Sequence, residues 1–390
     1  MVQDCRLSVG VTDERCSLST LNSITAFFSN AYPAKCSLER LTLQADESAN
    51  DVAIHGFLTS IKNKHANTIQ HLSLEGSGLQ QKGVSLLCDI MRKGSLKSLQ
   101  HLNVSRNKAL YHGVHKLSKT IAQGHVPHLS TLNISSNDAK HAVLDFFDKR
   151  FADATPFLKH LIAQSNLLDI YDADVMAQRL RGSGKLCWHN FHTLDLSHNC
   201  LVDVELAKMI SQQVWVMADL PVDKEGGNFT RRSELRHLHL QEIELGNHTC
   251  RVLSELMTKG YFPHLQTLDV SANAISSEGV DRLLEPLRRS ELAELRTLNL
   301  GLNKIHHDGV LLIASSQNLG VFDKLEELDM SDVGCNSETI ALFAKALVTR
   351  FERKSLQNLR RLKVIGLHPY AGKNVRLWFP EAFLIRVRVT

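Results

Sequence analysis

Asp195, His239 and Asp269 are far apart in the chain, yet each occupies the same place in a recurring phrase: "LDLSHN", "LHLQEI" and "LDVSAN". A histidine flanked by two carboxylates can ligate a metal or keep its proton near neutral pH. His237 lies two residues before His239, and Thr193 two before Asp195, so both share that face. The plainer alternative is a solvated polar ladder that holds no ion. The expectation is no tightly bound metal; stoichiometric zinc uptake lost in His239→Ala would contradict it. Opposite charges meet later in the chain: Glu326 with Arg360, Glu327 with Arg361, and Asp329 with Lys363. They form either a charged docking patch or an ion-pair ladder that fixes register. Covalent chemistry has no signature, since neither a G-x-S-x-G elbow nor a phosphate-binding loop is present. Cys88 and Cys250 fall on apolar helix positions, and Trp188, Trp215 and Trp378 lie in insertions or near the end, where packing is their expected role. No catalytic residue, cofactor site or small-molecule substrate is expected.

These residues are positioned by a repeat. The unit L-x-x-L-x-L-x-x-N is written as "LQHLNVSRN" from Leu99, "LSTLNISSN" from Leu129, "FHTLDLSHN" from Phe191, "LQTLDVSAN" from Leu265 and "LRTLNLGLN" from Leu295. Weaker copies start at Leu38, Ile69, Leu158, Leu235, Leu325 and Leu359, which makes about 11 repeats with most starts 29 to 34 residues apart. Leu-x-Leu alternates with period two and predicts a short strand. About fifteen residues on, the period changes. Val84, Leu87, Cys88 and Met91 have helical spacing, as do Val280, Leu283, Leu284 and Leu287, and Ile340, Phe343, Ala344 and Leu347. Serine, asparagine or glycine ahead of these stretches, as in "SSEG" from Ser276, predicts caps. One such unit cannot bury its apolar face alone, but a stack can.

The pattern resembles the leucine-rich repeat family, in its long-repeat, ribonuclease-inhibitor-like subclass. The fold expected is an α/β solenoid, a horseshoe with parallel strands on the concave face and helices on the convex face. Strands stack about 4.8 Å apart, whereas helices are roughly 10 Å across, so such an array must curve. The ninth-position amide of Asn107, Asn137, Asn166, Asn199, Asn273 and Asn303 can bond the turn leaving each strand. The resemblance implies a continuous ladder of these amides, broken here at Ser77, Ile243 and Val333.

Residues 1–37 are expected to form a capping half-repeat, with Leu7 and Val9 in a strand and Leu21, Ile24, Phe27 and Phe28 in an apolar stripe. Repeats then fill 38–370, and 371–390 close the array as two strands broken near Pro380. An insertion over 217–234 makes one repeat 44 residues long. The solenoid does not need this segment, and it carries Lys224, Phe229, Arg231 and Arg232 beside Gly226 and Gly227. Either it docks a protein partner, together with Thr193, Asp195, His237, His239 and Asp269, or it is tolerated drift at an exposed tip.

The chain has 390 residues, a formal charge of +4 and 20 histidines, so its charge rises under mild acid. Near-balanced acids and bases, with no aromatics at the strand positions, disfavour nucleic acid. Apolar runs too short to cross a bilayer, no signal-like start and scattered cysteines point to a cytosolic or nuclear setting and no membrane insertion. Ribonuclease-binding relatives are strongly acidic and cysteine-rich, unlike this chain. The expectation is a non-enzymatic scaffold for one or more proteins. The resemblance implies a structural subunit, as in ciliary, axonemal or other cytoskeletal assemblies. The alternative is a regulator of a small GTPase, since the array also resembles the GTPase-activating protein of nuclear transport; the chain ends in "RVRVT" where that family has an acidic tail.

Overall fold

The computed structural model describes residues 6–10, 17–31, 37–44, 51–62, 66–169, 171, 191–204, 206–208, 210, 233–315, 320–353, 356, 358–364 and 379–389. The chain divides into two compact units: Met1–Leu168 with Lys185–Cys187, and Asp169–Gly184 with Trp188–Thr390.

In the first unit, strands β1 (Arg6–Gly10), β2 (Ser37–Thr42), β3 (His71–Ser73), β4 (His101–Asn103), β5 (Thr131–Asn133) and β6 (His160–Ile162) pair in sequence order, all parallel. Helices α1 (Leu18–Ala26), α2 (Asp51–Lys62), α3 (Gln81–Arg92) and α4 (Leu110–Ala122) lie between successive strands. After β5 the helix is replaced by a 3₁₀ segment, Lys140–Phe147, and a short α5, Lys149–Ala154. Phe146 and Phe151 fill that space edge to face, ring centres 5.0 Å apart.

The second unit repeats the plan. Strands β7 (Thr193–Asp195), β8 (His237–His239), β9 (Thr267–Asp269), β10 (Thr297–Asn299), β11 (Glu327–Asp329), β12 (Arg361–Lys363) and β13 (Arg388–Val389) are again parallel and in order. The helices are α6 (Asn247–Thr258), α7 (Ser277–Arg288), α8 (His306–Ala314), α9 (Ser337–Glu352) and α10 (Glu381–Arg386). This is the expected solenoid order, strand then turn then helix.

The core is the repeat's own leucines. The central residue of each three-residue strand is buried: Leu72, Leu102, Leu132 and Leu161 in one unit, Leu194, Leu238, Leu268 and Leu298 in the other. The three predicted helical stripes are buried throughout, from Val84 and Met91 to Phe343 and Leu347. Stacking turns these half-exposed faces into a continuous apolar interior.

Each strand ends in the same turn. The eighth repeat position has positive φ at Arg106, Ser136, Ser165, His198, Glu242, Ala272, Leu302 and Asp332, between 50° and 58°. Among the described residues only Gly76 fills this place with the residue that adopts it freely. The ninth-position asparagine holds the turn. Asn273 Nδ2 donates to the carbonyls of Leu240, Val270 and Ser271 at 2.7–3.0 Å, and its Oδ1 accepts from the N–H of Ile243 and Leu245 at 3.0 Å. Asn107, Asn137 and Asn303 bond in the same way. At Ser77 the hydroxyl replaces only one of these bonds, to Leu74 O at 2.8 Å. Ile243 and Val333 are buried and offer no side-chain donor. The ladder therefore breaks where expected.

Two local expectations fail. Past Pro380 the chain forms α10 before the two-residue β13, so most of the second expected strand is helix. Pro380 begins a helix readily because it lacks an N–H to leave unpaired, Glu381 suits the helix start, and Phe383 stacks on Phe379 at 4.8 Å. Residues 371–378 lie outside the described set. At the other end, Leu21 and Phe28 are buried as predicted, but Phe27 is 44% exposed. A π-helical turn over Phe27–Ala31 rotates it off the stripe.

Candidate functional site

The strand positions flanking each buried leucine face outward and form two lines of side chains. In the second unit one line runs Thr193, His237, Thr267, Thr297, Glu327 and Arg361, and the other Asp195, His239, Asp269, Asn299, Asp329 and Lys363, each in register with the next strand. The structure thus gathers five of the predicted site residues on neighbouring rungs. His237 Nδ1 lies 3.0 Å from Thr267 Oγ1. Lys224, Phe229, Arg231 and Arg232 lie outside the described residues, as do Trp188, Trp215 and Trp378.

The carboxylates are not aimed at the histidine. Asp195 is 7% exposed, and its Oδ1 accepts from Ser197 N–H at 3.0 Å. Asp269 Oδ1 accepts from the N–H and hydroxyl of Ser271, and its Oδ2 from Asn299 Nδ2 at 3.0 Å. Asp329 repeats this with Ser331. Asn103 and Asn133 bond the N–H of Ser105 and Ser135, and Asn299 that of Gly301. Where the fifth position is Asp or Asn it therefore forms an Asx turn, which stabilises the bend as the strand ends. His239 is half-buried, and its ring makes no hydrogen bond or ion pair with a described residue. Among the described residues no three His, Cys, Asp or Glu side chains are placed to hold a metal ion.

At the far end of this unit Arg361 pairs with Glu327 across β11 and β12, and Lys363 Nζ lies 3.1 Å from Asp329 Oδ2. Glu326 pairs instead with Arg296 on the preceding repeat, at 3.7 Å, and Arg360 has no ion pair among the described residues. Side chains pair with whichever neighbouring rung brings the opposite charge nearer, so register alone did not decide this case. Arg361 and Lys363 remain more than half exposed, which keeps such pairs weak.

Behind the strands, the thirteenth repeat position reaches the next repeat. Asp203 Oδ1 accepts from the N–H of Gly246 and Thr249 at 2.8 Å, and Oδ2 from His248 N–H at 3.0 Å, capping α6 from outside. Burial raises the Asp203 carboxyl, but these bonds outweigh it and hold the group below the ordinary carboxylate value. Asn247 does the same for α7: its Oδ1 accepts from Ser276 N–H at 3.1 Å and its Nδ2 donates to Ser276 Oγ at 2.8 Å. Ser276, the expected cap, makes no side-chain cap bond of its own. In a stack the neighbouring repeat sits over the helix start and supplies the acceptor. Cys88 and Cys250 are buried, and burial pushes both thiols up, away from reactivity.

Strand, Asx turn, asparagine ladder and helix, stacked rung on rung, define a repeat solenoid. The chain carries leucine-rich repeats: the family model described as "Leucine Rich repeat" matches residues 263–284 and 294–314. Among solved structures it is similar to an internalin from Listeria monocytogenes, at 15% identity over 99% of this chain and 86% of that one, with a TM-score of 0.42. It is also similar to a chain of the mouse RP105/MD-1 complex, at 13% identity over 91% of this chain and 58% of that one, with a TM-score of 0.33. No curated protein matches the sequence.

Proposed function

We propose that the chain is a non-enzymatic scaffold that binds one or more proteins through the outward positions of its strands. One observation carries this reading. Short polar side chains such as Thr193, His237, Thr267 and Thr297 stand in register on parallel, hydrogen-bonded strands over a buried leucine core. A rigid surface of this kind loses little conformational entropy on binding. None of these strand positions carries a large aromatic anchor, so binding spreads over many weak contacts. The finer reading, a structural subunit of a ciliary or cytoskeletal assembly, rests on the resemblance of the long repeats. In every described segment, no helix is long and apolar enough to cross a membrane.

The test is affinity capture with the intact chain, followed by mass spectrometry. It is repeated with Thr267→Arg/Thr297→Arg, and with residues 219–232 shortened to a four-residue turn. Loss of a reproducible protein partner in the double arginine variant, with its thermal midpoint kept within a few degrees, is the expected result. Loss confined to the shortened variant would move the main contact to the insertion. Capture of no protein above an unrelated repeat solenoid, or accelerated turnover of a small GTPase by the pure chain, would sink the scaffold reading.

A further inference from the structure

The strand faces of the two units differ in charge. In the register that runs from β2 to β6, no carboxylate flanks the central leucines Leu41, Leu72, Leu102, Leu132 and Leu161. Instead Arg40, His71, His101, Thr131 and His160 follow one another across five rungs. The corresponding positions of the second unit hold Asp195, Asp269, Glu327 and Asp329.

The imidazoles of His71 and His101 stack face to face, ring centres 4.0 Å apart and planes within 6°. Both are half-buried, while Arg40 at the end of the stripe is exposed. Among the described residues, other charged groups lie beside or just past the stripe. Glu39 precedes Arg40 on β2, and Lys159 precedes His160 at β6. Glu75, past the end of β3, already accepts from Asn103 Nδ2 at 3.1 Å and lies 3.8 Å from Arg106 Nε.

We propose, building on the protein-binding reading above, that this stripe docks an acidic segment of a protein partner and holds it more tightly in mild acid. Charge complementarity selects the occupant: the paired positions present Arg40 and three imidazoles and no carboxylate. Nucleic acid is the less suitable polyanion, because the stripe has no Phe, Tyr or Trp on which bases would stack.

The pH dependence follows from the stack. Burial lowers the His71 value, Arg40 lowers it further, and Glu39 opposes them. Burial again comes first at His101, followed by His71 and Arg40. Burial and Arg40 thus disfavour the charged form of both rings in the free protein. A carboxylate laid over them supplies the counter-charge that the free face lacks, so docking draws protons onto the rings. By linkage the same protons must tighten docking as pH falls.

The test uses the full chain and a fluorescein-labelled, end-blocked octaglutamate peptide, at fixed ionic strength. Fluorescence polarisation should give a Kd at least tenfold lower at pH 6.0 than at pH 7.5. His71→Gln/His101→Gln should lose most of that difference while keeping its melting midpoint. Arg40→Gln should weaken binding at both pH values. Histidine ring proton shifts should show both rings titrating at higher pH once peptide is added. A pH-independent Kd, or an unchanged pH effect in the double glutamine variant, would overturn the proposal. Tighter binding of a single-stranded oligonucleotide than of the peptide would do so too. Partners captured by the intact chain while the peptide fails would remove this inference alone and leave the scaffold standing.

Discussion

Asparagine and aspartate supply bonds that the solenoid backbone cannot make for itself. Where the turn after a strand is described it contains a left-handed residue, and in most repeats an asparagine side chain holds the turn from inside. Asp203 carries the same logic to a helix start, with three N–H donors from the next repeat on one carboxylate. Its folded-state value lies below the ordinary one, so its contribution is present above the unfolded pKa of about 3.9 and is lost as pH falls through the lower folded value. Asp203→Asn should therefore cost about 1 kcal/mol at pH 7, allowing for partial exposure. Urea denaturation at pH 7.0 and at pH 3.5 checks this. The gap should narrow at the lower pH; an undiminished gap would assign the loss to packing. The ninth-position asparagines were legible because each closes a nine-residue phrase. The Asx role of the fifth position was not read, although "NVS", "NIS", "DLS" and "DVS" carry it in the open. Period two places those residues outward, toward a partner, but says nothing of where a short side chain bends.

At the scale of elements, glycine marks where helices touch. The fifteenth position is glycine at Gly83, Gly113, Gly279 and Gly309, each in the first turn of its helix. A Cβ on Gly279 would lie 2.5 Å from Asn247 Oδ1, 2.8 Å from Ile275 Cγ2 and 3.2 Å from Cys250 Sγ. Gly279→Ala gains about 1 kcal/mol of helix propensity and loses about 1–3 kcal/mol to overpacking. Gly56, mid-way along α2, meets only Thr25 Cγ2 at 4.0 Å. Gly56→Ala should stabilise by up to about 1 kcal/mol, whereas Gly279→Ala should destabilise. Thermal melts of the two variants should move in opposite directions, and a rise in both would show that the helices are not in tight contact. The helical stripes were readable from apolar spacing alone. The 3₁₀ segment over Lys140–Phe147 escaped that reading, since Phe146 and Phe147 side by side break the period that announces a helix. The terminal helix after Pro380 was hidden by a β-like run of Val, Ile and Phe.

For the molecule as a whole, what the repeat fixes is phase. Removing residues 265–294 deletes one period of 30 and joins His264 to Leu295, which leaves each later residue at its old repeat position. In the shortened chain β8 should pair with β10, and α8 should meet α6 at an Asn247 that already accommodates a glycine neighbour. Far-UV circular dichroism per residue should be unchanged, with one cooperative melt. Deleting only 265–279 should yield an unfolded or aggregated product, and an in-phase deletion that failed equally would show that the rungs are not interchangeable. Rung spacing also governs what the faces can read. Strands repeat about every 4.8 Å, whereas same-side residues of an extended ligand repeat about every 6.8 Å. A segment crossing the rungs thus behaves like the sliding scale of a vernier, coinciding with the stripe of Arg40, His71 and His101 only at intervals. Several alignments have similar energy, so such a face reads charge per unit length and is indifferent to the order of the residues that carry it.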